Sequence, residues 1–331
     1  MSGAAIDGPP GAAGGVLVVG SLNLDGVARV ARLPREGETV LALDFAEHGG
    51  GKGANQALAA ARAGARVAMV GAVGRDAAGR RLRDALADAG VDASAVREDD
   101  APTGRAWIEV DDAGANRIVV VPGANASLRP ADLPDPRAAG AAWWVVQREV
   151  PDATVAAALA AARAAGVGTL ANLAPAGPLD DAVLRTCDGV VVNEHEAAVV
   201  LGEATADAAE GGTPDAAPRA TDDVVAAATD RARRVAARSG GWVVLTLGAR
   251  GAVLASEAGV EHLAGHAVVP VDTTGAGDAF VGALAARLAA GDPLPRAAAF
   301  ANAAGAEATR RAGAHPSLPS LAAIRARLAG P

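Results

Sequence analysis

The sequence is poor in aromatic residues and in cysteine. Its 331 residues include three Phe, four Trp and no Tyr, which argues against a platform of rings that stacks bases or sugars. Recognition of a ligand should therefore rest on hydrogen bonds. The single Cys187 excludes an internal disulfide framework and suits a reducing compartment, so we expect a cytoplasmic protein. The five histidines show no spacing typical of metal ligands.

Long apolar runs and positive net charge are also missing. No run reaches the roughly 20 residues that a membrane-spanning helix needs, so no membrane partner is expected. A formal net charge of −8 leaves no electrostatic footprint for nucleic acid or an anionic surface. Residues 1–14 are small and rich in Gly and Pro, which predicts a disordered tail. The stretch 203–221 has no apolar period and is predicted to be a surface loop.

Short apolar runs of strand length alternate with helical patterns along most of the chain. This alternation predicts an α/β fold, a doubly wound, mostly parallel sheet with helices on both faces. The predicted strands are Val16–Val19, Val67–Val70, Trp143–Val146, Gly168–Ala171, Gly189–Val192 and Val243–Thr246. The predicted helices are Ala54–Ala63, Ala77–Ala89, Asp152–Ala165, Asp180–Cys187 and Val224–Arg238.

Two segments, about 26–45 and 104–121, alternate like strands with no helix between their members. They predict a small antiparallel sheet separate from the main one. In open α/β sheets, ligands bind beyond the carboxyl ends of the strands. This rule brings several polar residues to one edge of the main sheet: Asn23, Asp25, Glu149, Asn172, Asn193 and the run 246–251.

The run Val271–Asp278 predicts an anion site at the start of a helix. A β-rich segment, Ala267–Val271, enters it and a helical pattern, Ala279–Ala290, leaves it. Glycines at a helix start let the backbone approach an anion, and the free N–H groups and helix dipole favour negative charge there. An aspartate on that first turn repels a resting phosphate. Asp278 is better explained as a base acting during phosphoryl transfer, although an ordinary helix start is the alternative.

A second glycine-rich run, His48–Gln56, also precedes a helical pattern. It is not a Walker A loop, because Ala46 occupies the first glycine position and Gly53 stands where Ser or Thr is required. Close backbone approach beside an ammonium and a carboxamide suits a polyol ligand, and a flexible turn is the alternative. A dinucleotide-binding oxidoreductase is disfavoured because Phe280 stands where its third glycine is needed.

Together these segments resemble the ribokinase-like family of carbohydrate kinases, and the matching motifs run in the family's order over nearly the whole chain. The resemblance implies one kinase domain over 15–331, with 26–45 and 104–121 as a lid that often supplies a homodimer contact. It implies transfer of phosphate from ATP to D-ribose at O5. The motifs are Gly20–Asp25, Pro34–Thr39, Gly50–Gln56, Gly74–Gly79, Gly123–Asn125, Asn172–Ala176, Asn193–Glu196, Thr246–Gly251 and Asp272–Asp278.

The resemblance also assigns residues to the sugar and to catalysis. Asp278 is the implied general base, and the N–H groups of Gly275, Ala276 and Gly277 the implied anion hole. The motif around Glu149 departs from the family pattern by placing Arg148 before it, which bears on substrate choice. The sugar-binding residues implied are Asn23, Asp25, Gly51, Lys52, Gly53, Ala54, Asn55 and Glu149, with Asp278.

Three further sets of residues follow from the same resemblance. Glu196 is implied to hold magnesium through water, while a capping box with Asn193 is the structural alternative and is compatible with that role. Asn302 stands where the family often has histidine. The implied ATP-binding residues are Asn193, Thr246, Leu247, Gly248, Ala249, Arg250, Gly251, Gly277, Asp278 and Asn302. The implied potassium site, several of whose members contribute only carbonyls, comprises Asp272, Thr274, Ala308, Arg311, Gly313 and Ser317.

Other functions stay open at the level of sequence. The acceptor could be another pentose, sugar or nucleoside, with 2-deoxyribose, fructose and adenosine as the nearest alternatives. A non-catalytic sugar-binding protein of the same fold is a rival from another class. An intact Asp278 with its glycines argues against that rival, because a protein that only binds sugar needs no base there.

Overall fold

The computed structural model describes residues 14–203 and 221–330. The predicted tail and the predicted loop at 203–221 lie outside these ranges except for their edge residues. The strands are β1 (Gly15–Val19), β2 (Asn23–Arg29), β3 (Asp44–Gly50), β4 (Val67–Gly74), β5 (Asp92–Asp99), β6 (Gly104–Val110), β7 (Asn116–Val121), β8 (Ala141–Val146), β9 (Gly168–Asn172), β10 (Gly189–Asn193), β11 (Trp242–Thr246), β12 (Ala252–Ser256) and β13 (Gly259–Leu263). The helices are α1 (Lys52–Arg62), α2 (Ala77–Asp88), α3 (Asp152–Ala164), α4 (Asp181–Leu184), α5 (Glu194–Val200), α6 (Thr221–Ser239), α7 (Ala276–Ala289), α8 (Leu294–Ala308), α9 (Ala314–Ser317) and α10 (Leu321–Ala329).

Within these ranges, the main sheet has nine strands in the order β13-β12-β11-β10-β9-β8-β1-β4-β5. The strands from β11 to β5 pair in parallel, and β12 and β13 add an antiparallel edge. The predicted doubly wound, mostly parallel sheet is therefore confirmed.

Strand β1 shows why the sheet is covered on both faces. Val16 and Val18 point into one core and Leu17 and Val19 into the other, and all four are at most 2% exposed. Successive side chains of a strand alternate between faces, so a run that is apolar throughout needs cover on both. Residues of α1, α2, α7, α8 and α10 pack on the first face. Residues of α3, α4, α5 and α6 pack on the second.

Helices α1 and α7 pack closely through small side chains. Gly282 of α7 has no room for a side chain, because a Cβ there would lie 2.5 Å from both the Ala59 Cβ and the carbonyl oxygen of Gln56. Helix axes approach most closely where the facing residues are small. The alanine-rich composition thus brings Gln56 and its neighbours in α1 beside the first turn of α7.

The smaller sheet has the order β3-β2-β6-β7. Its two outer pairs are antiparallel, but β2 and β6 pair in parallel. The prediction of a purely antiparallel sheet is therefore wrong. The cause is topological: β2 follows β1 and β6 follows β5, and β1 and β5 leave the same edge of the main sheet in the same direction.

Other predicted elements agree with the structure apart from three differences. The segment 26–45 is strand only at its two ends, in β2 and β3, and residues 30–43 between them form no strand. The segment Ala267–Val271 is not a strand: Val269 and Val271 are 86% and 68% exposed, and the Val271 N–H donates to the Thr309 carbonyl at 2.7 Å. The predicted helix Asp180–Cys187 is limited to the single turn of α4. Across 14–203 and 221–330, no helix is both long and apolar enough to cross a membrane.

Candidate active site

The polar residues predicted to share one edge of the main sheet are brought together there. Chain segments leave the sheet at the ends of β1, β8, β9 and β10 and carry Asn23, Glu149, Asn172 and Asn193 to that edge. The first turn of α7 places Asp278 against them, with a side chain only 8% exposed. The site lies where the sheet order reverses around β1, which is where open α/β sheets bind ligands.

Both carboxylate oxygens of Asp278 accept hydrogen bonds from amides. The Asn55 Nδ2 donates to Oδ2 at 2.7 Å, and the Gln56 Nε2 donates to Oδ1 at 2.9 Å. Burial raises the pKa of Asp278 above its ordinary value, while the nearby Lys52 ammonium and the two amides oppose that rise. A buried carboxylate with a raised pKa and defined geometry is equipped to accept a proton.

The backbone geometry at the start of α7 lets an anion come close to its N–H groups. Gly275 adopts a left-handed conformation with φ of 78°, which glycine tolerates without strain, and ends the turn that leads into the helix. Gly277 lies at the second helical position, where an N–H group has no partner within the helix. The N–H of Ala276 donates within that turn, to the Thr273 carbonyl at 3.2 Å. Space around Gly277 is open, since an added Cβ would meet no described atom within 4 Å.

Asp25 and Asn55 present unpaired acceptors to the pocket. The Oδ1 atoms of both are buried and have no hydrogen-bond partner among the described residues. Gly50 of β3 makes room for the Asp25 carboxylate, which a Cβ at that position would strike. Buried acceptors are normally paired, so these two oxygens are available to accept hydrogen bonds from the hydroxyl groups of a ligand.

Four carboxylates surround the Lys52 side chain. Burial by itself lowers the pKa of Lys52, but attraction from Asp278, Glu149, Glu196 and Asp25 outweighs it and raises the pKa. For Asp25, burial and repulsion from Glu149 and Asp278 raise the pKa to about 7, against the attraction of Lys52. The cluster therefore holds one cation and several acids whose charges depend on each other.

Glu149 fixes the glycine-rich loop to the end of β8. Its Oε2 accepts from the Ser21 hydroxyl at 2.6 Å and from the Lys52 backbone N–H at 2.9 Å. Gly51, just before α1, has a φ of 85° that suits glycine, and its Cβ would crowd the backbone of residues 21–23. Arg148 turns away and donates to Asp152 and to the Pro178 carbonyl. The departure from the family motif thus lies outside the pocket.

Several polar residues of the site received no role from the sequence. Ser21, Asn125 and Gln147 are at most 1% exposed, as is Gln56. Asn125 donates to the Asn23 Oδ1 at 2.8 Å and accepts from the Leu22 N–H at 2.9 Å, which orients Asn23. Ser21, Gln56 and Asn125 lie inside recognised motifs, and that was the only signal available for them. Their partners are remote in sequence, so only the fold reveals the contacts.

On the proposed nucleotide side, the predicted capping box at α5 is present. The Asn193 Oδ1 accepts from the Glu196 N–H, and the Glu196 Oε2 accepts from the Asn193 N–H, both at 2.8 Å. Asn193 Nδ2 also donates to the Glu196 Oε1 at 3.0 Å. Burial raises the pKa of Glu196, although the hydrogen bond from the Asn193 N–H and the attraction of Lys52 act to lower it.

The segment Thr246–Gly251 runs from the end of β11 through a turn toward β12. Arg250 pairs with Glu194 at 3.3 Å, which ties this turn to α5. Leu247 is 3% exposed and belongs to the core, so only its backbone is free to face a ligand. The Asn302 Nδ2 donates to the Ala264 carbonyl at 2.7 Å, so this amide supports the loop after β13.

The predicted cation residues come from two segments that meet at Asp272. Its Oδ1 accepts from the Thr274 N–H and its Oδ2 from the Gly313 N–H, both at 2.8 Å. The Ser317 hydroxyl donates to the Thr274 carbonyl oxygen at 3.5 Å. Ala308 ends α8 and Arg311 follows in the same connection. Among the described residues, no group of three His, Cys, Asp or Glu could hold a metal ion directly.

The fold and this site define a sugar kinase of a known family. The chain belongs to the pfkB family of carbohydrate kinases, whose sequence profile matches residues 14–321. The expected ribokinase-like fold and kinase activity are thereby confirmed.

Within that family, several of the similar proteins are ribokinases. The chain is 36% identical to the ribokinase of Schizosaccharomyces pombe over 92% of this chain and 95% of the relative. It is 38% identical to the mouse ribokinase over 84% and 82%. The solved structure of Arabidopsis thaliana ribokinase complexed with ribose and ATP is 30% identical, with a TM-score of 0.80 over 96% and 99% of the two chains. A ribokinase structure from Thermotoga maritima gives 29% identity and a TM-score of 0.82 over 96% and 100%.

The raised pKa of Asp25 predicts a pH-dependent stability. Its pKa is about 7 in the folded chain against an ordinary 3.8, so between these values the folded state keeps a proton that the unfolded state releases. The free energy of unfolding should therefore fall as pH rises through this window. Asp25→Asn, which carries no charge, is expected to flatten that fall and to be more stable than the parent at about pH 8.

Urea unfolding at several pH values measures this effect. Asp100→Asn is the matched control, because the Asp100 side chain is 92% exposed and should leave the slope unchanged. An Asp25→Asn protein that keeps the parent's pH slope would contradict the assigned pKa.

Proposed function

We propose that this chain transfers the γ-phosphoryl group of ATP to O5 of D-ribose, giving ribose 5-phosphate, with Asp278 as general base. The observation that carries the proposal is the buried Asp278 carboxylate at the start of α7, beside the unpaired acceptors of Asp25 and Asn55. Similarity to ribokinases, one of them solved with ribose and ATP, supports this choice of substrate. In this proposal residues 15–331 act as one kinase domain in the cytoplasm.

The proposed chemistry follows from the positions of these groups. Asp25, Asn55 and Asn23 accept from or donate to the sugar hydroxyls and leave the primary hydroxyl beside Asp278. That carboxylate takes the proton of O5 as the oxygen bonds to the γ-phosphorus, and the bond from phosphorus to the bridging oxygen breaks to release ADP. The N–H groups at the start of α7 stabilise the charge that develops on the phosphoryl oxygens. Glu149 acts on the sugar side and also holds the loop at Lys52.

The nucleotide is proposed to lie along the other half of the same edge. Asn193, the backbone of Thr246–Gly251, Gly277 and Asn302 border it in this proposal. Magnesium, when bound, would neutralise phosphate charge, and Glu196 would hold it through water. The two Glu196 oxygens each accept one bond from Asn193 and keep further lone pairs for water.

A potassium ion is proposed beside the anion hole, at the junction of 272–274 with 308–317. The donors there suit a hard cation: the Asp272 carboxylate, backbone carbonyls such as that of Thr274, and the Ser317 hydroxyl. Asp272 already links the two segments through the Thr274 and Gly313 N–H groups. An ion at this junction would stabilise the loop that leads into Gly275 without touching either substrate.

A homodimer is proposed through the smaller sheet. One of its faces exposes large apolar side chains: Phe45 and Trp107, whose rings stack at 5.5 Å, and the edge-strand residues Val119 and Val121, each between 47% and 63% exposed. A contiguous exposed apolar surface of this kind marks an interaction site. A second copy of the chain would cover it.

The first test of the proposed reaction is an ADP-release assay with ribose, 2-deoxyribose, fructose and adenosine. Ribose is expected to give the highest kcat/KM. Asp278→Asn should lower kcat by roughly 10²–10⁴-fold with little change in KM for ribose, as expected for loss of a general base. Asp223→Asn, at an exposed aspartate in the first turn of α6, is the matched control for an effect on a helix dipole. Turnover of Asp278→Asn within about threefold of the parent would refute the mechanism.

Turnover is also expected to depend on potassium, with sodium a poor substitute, because backbone carbonyls are sensitive to ion size. The response should appear mainly in kcat or in the dependence on ATP. Asp272→Ala should abolish the potassium response and leave ribose binding measurable by calorimetry. Full turnover in a buffer free of potassium and caesium would contradict the proposed cation site.

The dimer proposal predicts a solution mass of about twice 32.3 kDa. Replacing both Val119 and Val121 with Asp places two charges on the exposed face of β7 and should give a monomer in sedimentation equilibrium. Leu328→Asp is the control, since Leu328 is 44% exposed but lies on α10. A monomeric parent protein would exclude the dimer.

A further inference from the structure

A chain of buried amides runs from the end of β8 to the Asp278 carboxylate. The Gln147 Nε2 donates to the Gln56 Oε1 at 2.7 Å. The Gln56 Nε2 donates in turn to the Asp278 Oδ1 and to the Asn172 Oδ1, both at 2.9 Å. Gln56 and Gln147 are fully buried. Four separate elements of the fold, β8, α1, β9 and α7, therefore meet through one glutamine side chain.

This arrangement permits a single orientation of the Gln56 amide. Its two N–H groups face two acceptor oxygens, and its carbonyl oxygen faces a donor. Turning the amide over would set its oxygen against the oxygens of Asp278 and Asn172, and its NH₂ group against that of Gln147. All three contacts would become repulsive. The hydrogen bond to Asp278 is thus held by contacts that do not touch the pocket.

Gln147 contributes one bond and leaves one polar atom unsatisfied. Its Oε1 is buried and finds no hydrogen-bond partner in the described part of the chain. The Gly20 Cα faces this atom, and a Cβ there would strike it. An apolar side chain of similar length would avoid the unpaired oxygen. The Gln147 amide is therefore explained by the hydrogen bond that it donates to Gln56.

We propose that Gln56 and Gln147 are positioning residues for the base: Gln147 sets the orientation of the Gln56 amide, and Gln56 holds the Asp278 carboxylate toward the primary hydroxyl of the sugar. The Gln147 amide donates to Gln56, and the Asp278 carboxylate accepts from Asn55 and Gln56, so Gln147 acts through Gln56. This inference rests on the proposed function, because it takes Asp278 as the base. It adds a role for two residues outside the sugar contacts.

This amide relay, which runs from Gln147 through Gln56 to Asp278, also affects the ionisation of Asp278. A hydrogen bond donated to the ionised form favours that form. The other charged groups facing Asp278 are Lys52 on α1, Glu149 after β8, Asp25 on β2 and Glu196 on α5. None of these is altered when an uncharged glutamine is replaced by an uncharged side chain. A change in the titration of the base would therefore report on the relay.

The test uses Gln56→Met, Gln147→Met and the double variant, which keep the side-chain length and remove the amides. For Gln56→Met, kcat near pH 7 should fall about tenfold. In the plot of kcat against pH, the acid limb should move up by about one pH unit. KM for ribose should stay within about threefold. Gln147→Met should shift the limb in the same direction by a smaller amount. Because the two act in series, adding Gln147→Met to Gln56→Met should cause no further shift.

Thr154→Val is the matched control for loss of a buried polar group. Thr154 is fully buried and donates to the Leu128 carbonyl at 2.8 Å, on the far side of the sheet. It should lose stability without moving the limb. An unmoved limb in a folded Gln56→Met protein, or additive shifts in the double variant, would overturn the relay. Failure of the proposed function is distinguished by Asp278→Asn: if that variant stays active, the base is wrong, whatever the glutamines do.

Discussion

The proposed mechanism depends on a buried carboxylate that can accept a proton. Asp278 is 8% exposed, and burial alone would favour its neutral form. Three kinds of contact act against this: the Lys52 ammonium, the Asn55 amide and the Gln56 amide. Each comes from α1, so the proposed chemistry depends on the distance between α1 and α7. A shift of that helix pair would alter the charge and the orientation of Asp278 together.

Small side chains make that distance possible. Gly282 lies against Ala59 and the Gln56 backbone, where an added Cβ would come within 2.5 Å of both. The glycine-rich loop is also closely packed because it lacks side chains. Gly50 leaves room for the Asp25 carboxylate, and Gly53 lies against Ser21. The unusual abundance of alanine and glycine is therefore linked to the site as well as to the core. It lets backbone and short polar side chains approach where larger residues would separate them.

The acidic pocket also explains the role of Lys52. Asp25, Glu149, Glu196 and Asp278 would repel each other without a cation among them. The Lys52 side chain lies in this group, and its backbone N–H is bound by Glu149. Charge balance and loop geometry are thus provided by the same residue. Arg148, in contrast, is engaged with Asp152 and the Pro178 carbonyl and leaves the pocket charge to the four acids and Lys52.

The sequence by itself determined the alternating strands and helices, and it identified the two glycine-rich runs and Asp278, Asp25 and Asn55 as candidates for the site. These features depend on local periodicity and on residue types at fixed spacing, which a single sequence displays. It misjudged Ala267–Val271, whose β-branched residues find no sheet neighbour, and the direction of β6 relative to β2. Strand pairing depends on where distant segments leave the main sheet. Only the tertiary structure decided that Gln147 and Asn172 bond to the Gln56 amide that donates to Asp278, that Arg148 faces away, and that Asp25 is buried enough to hold its proton near neutral pH. Hydrogen bonds between remote side chains and the cost of desolvation are set by packing, and packing is a property of the folded chain.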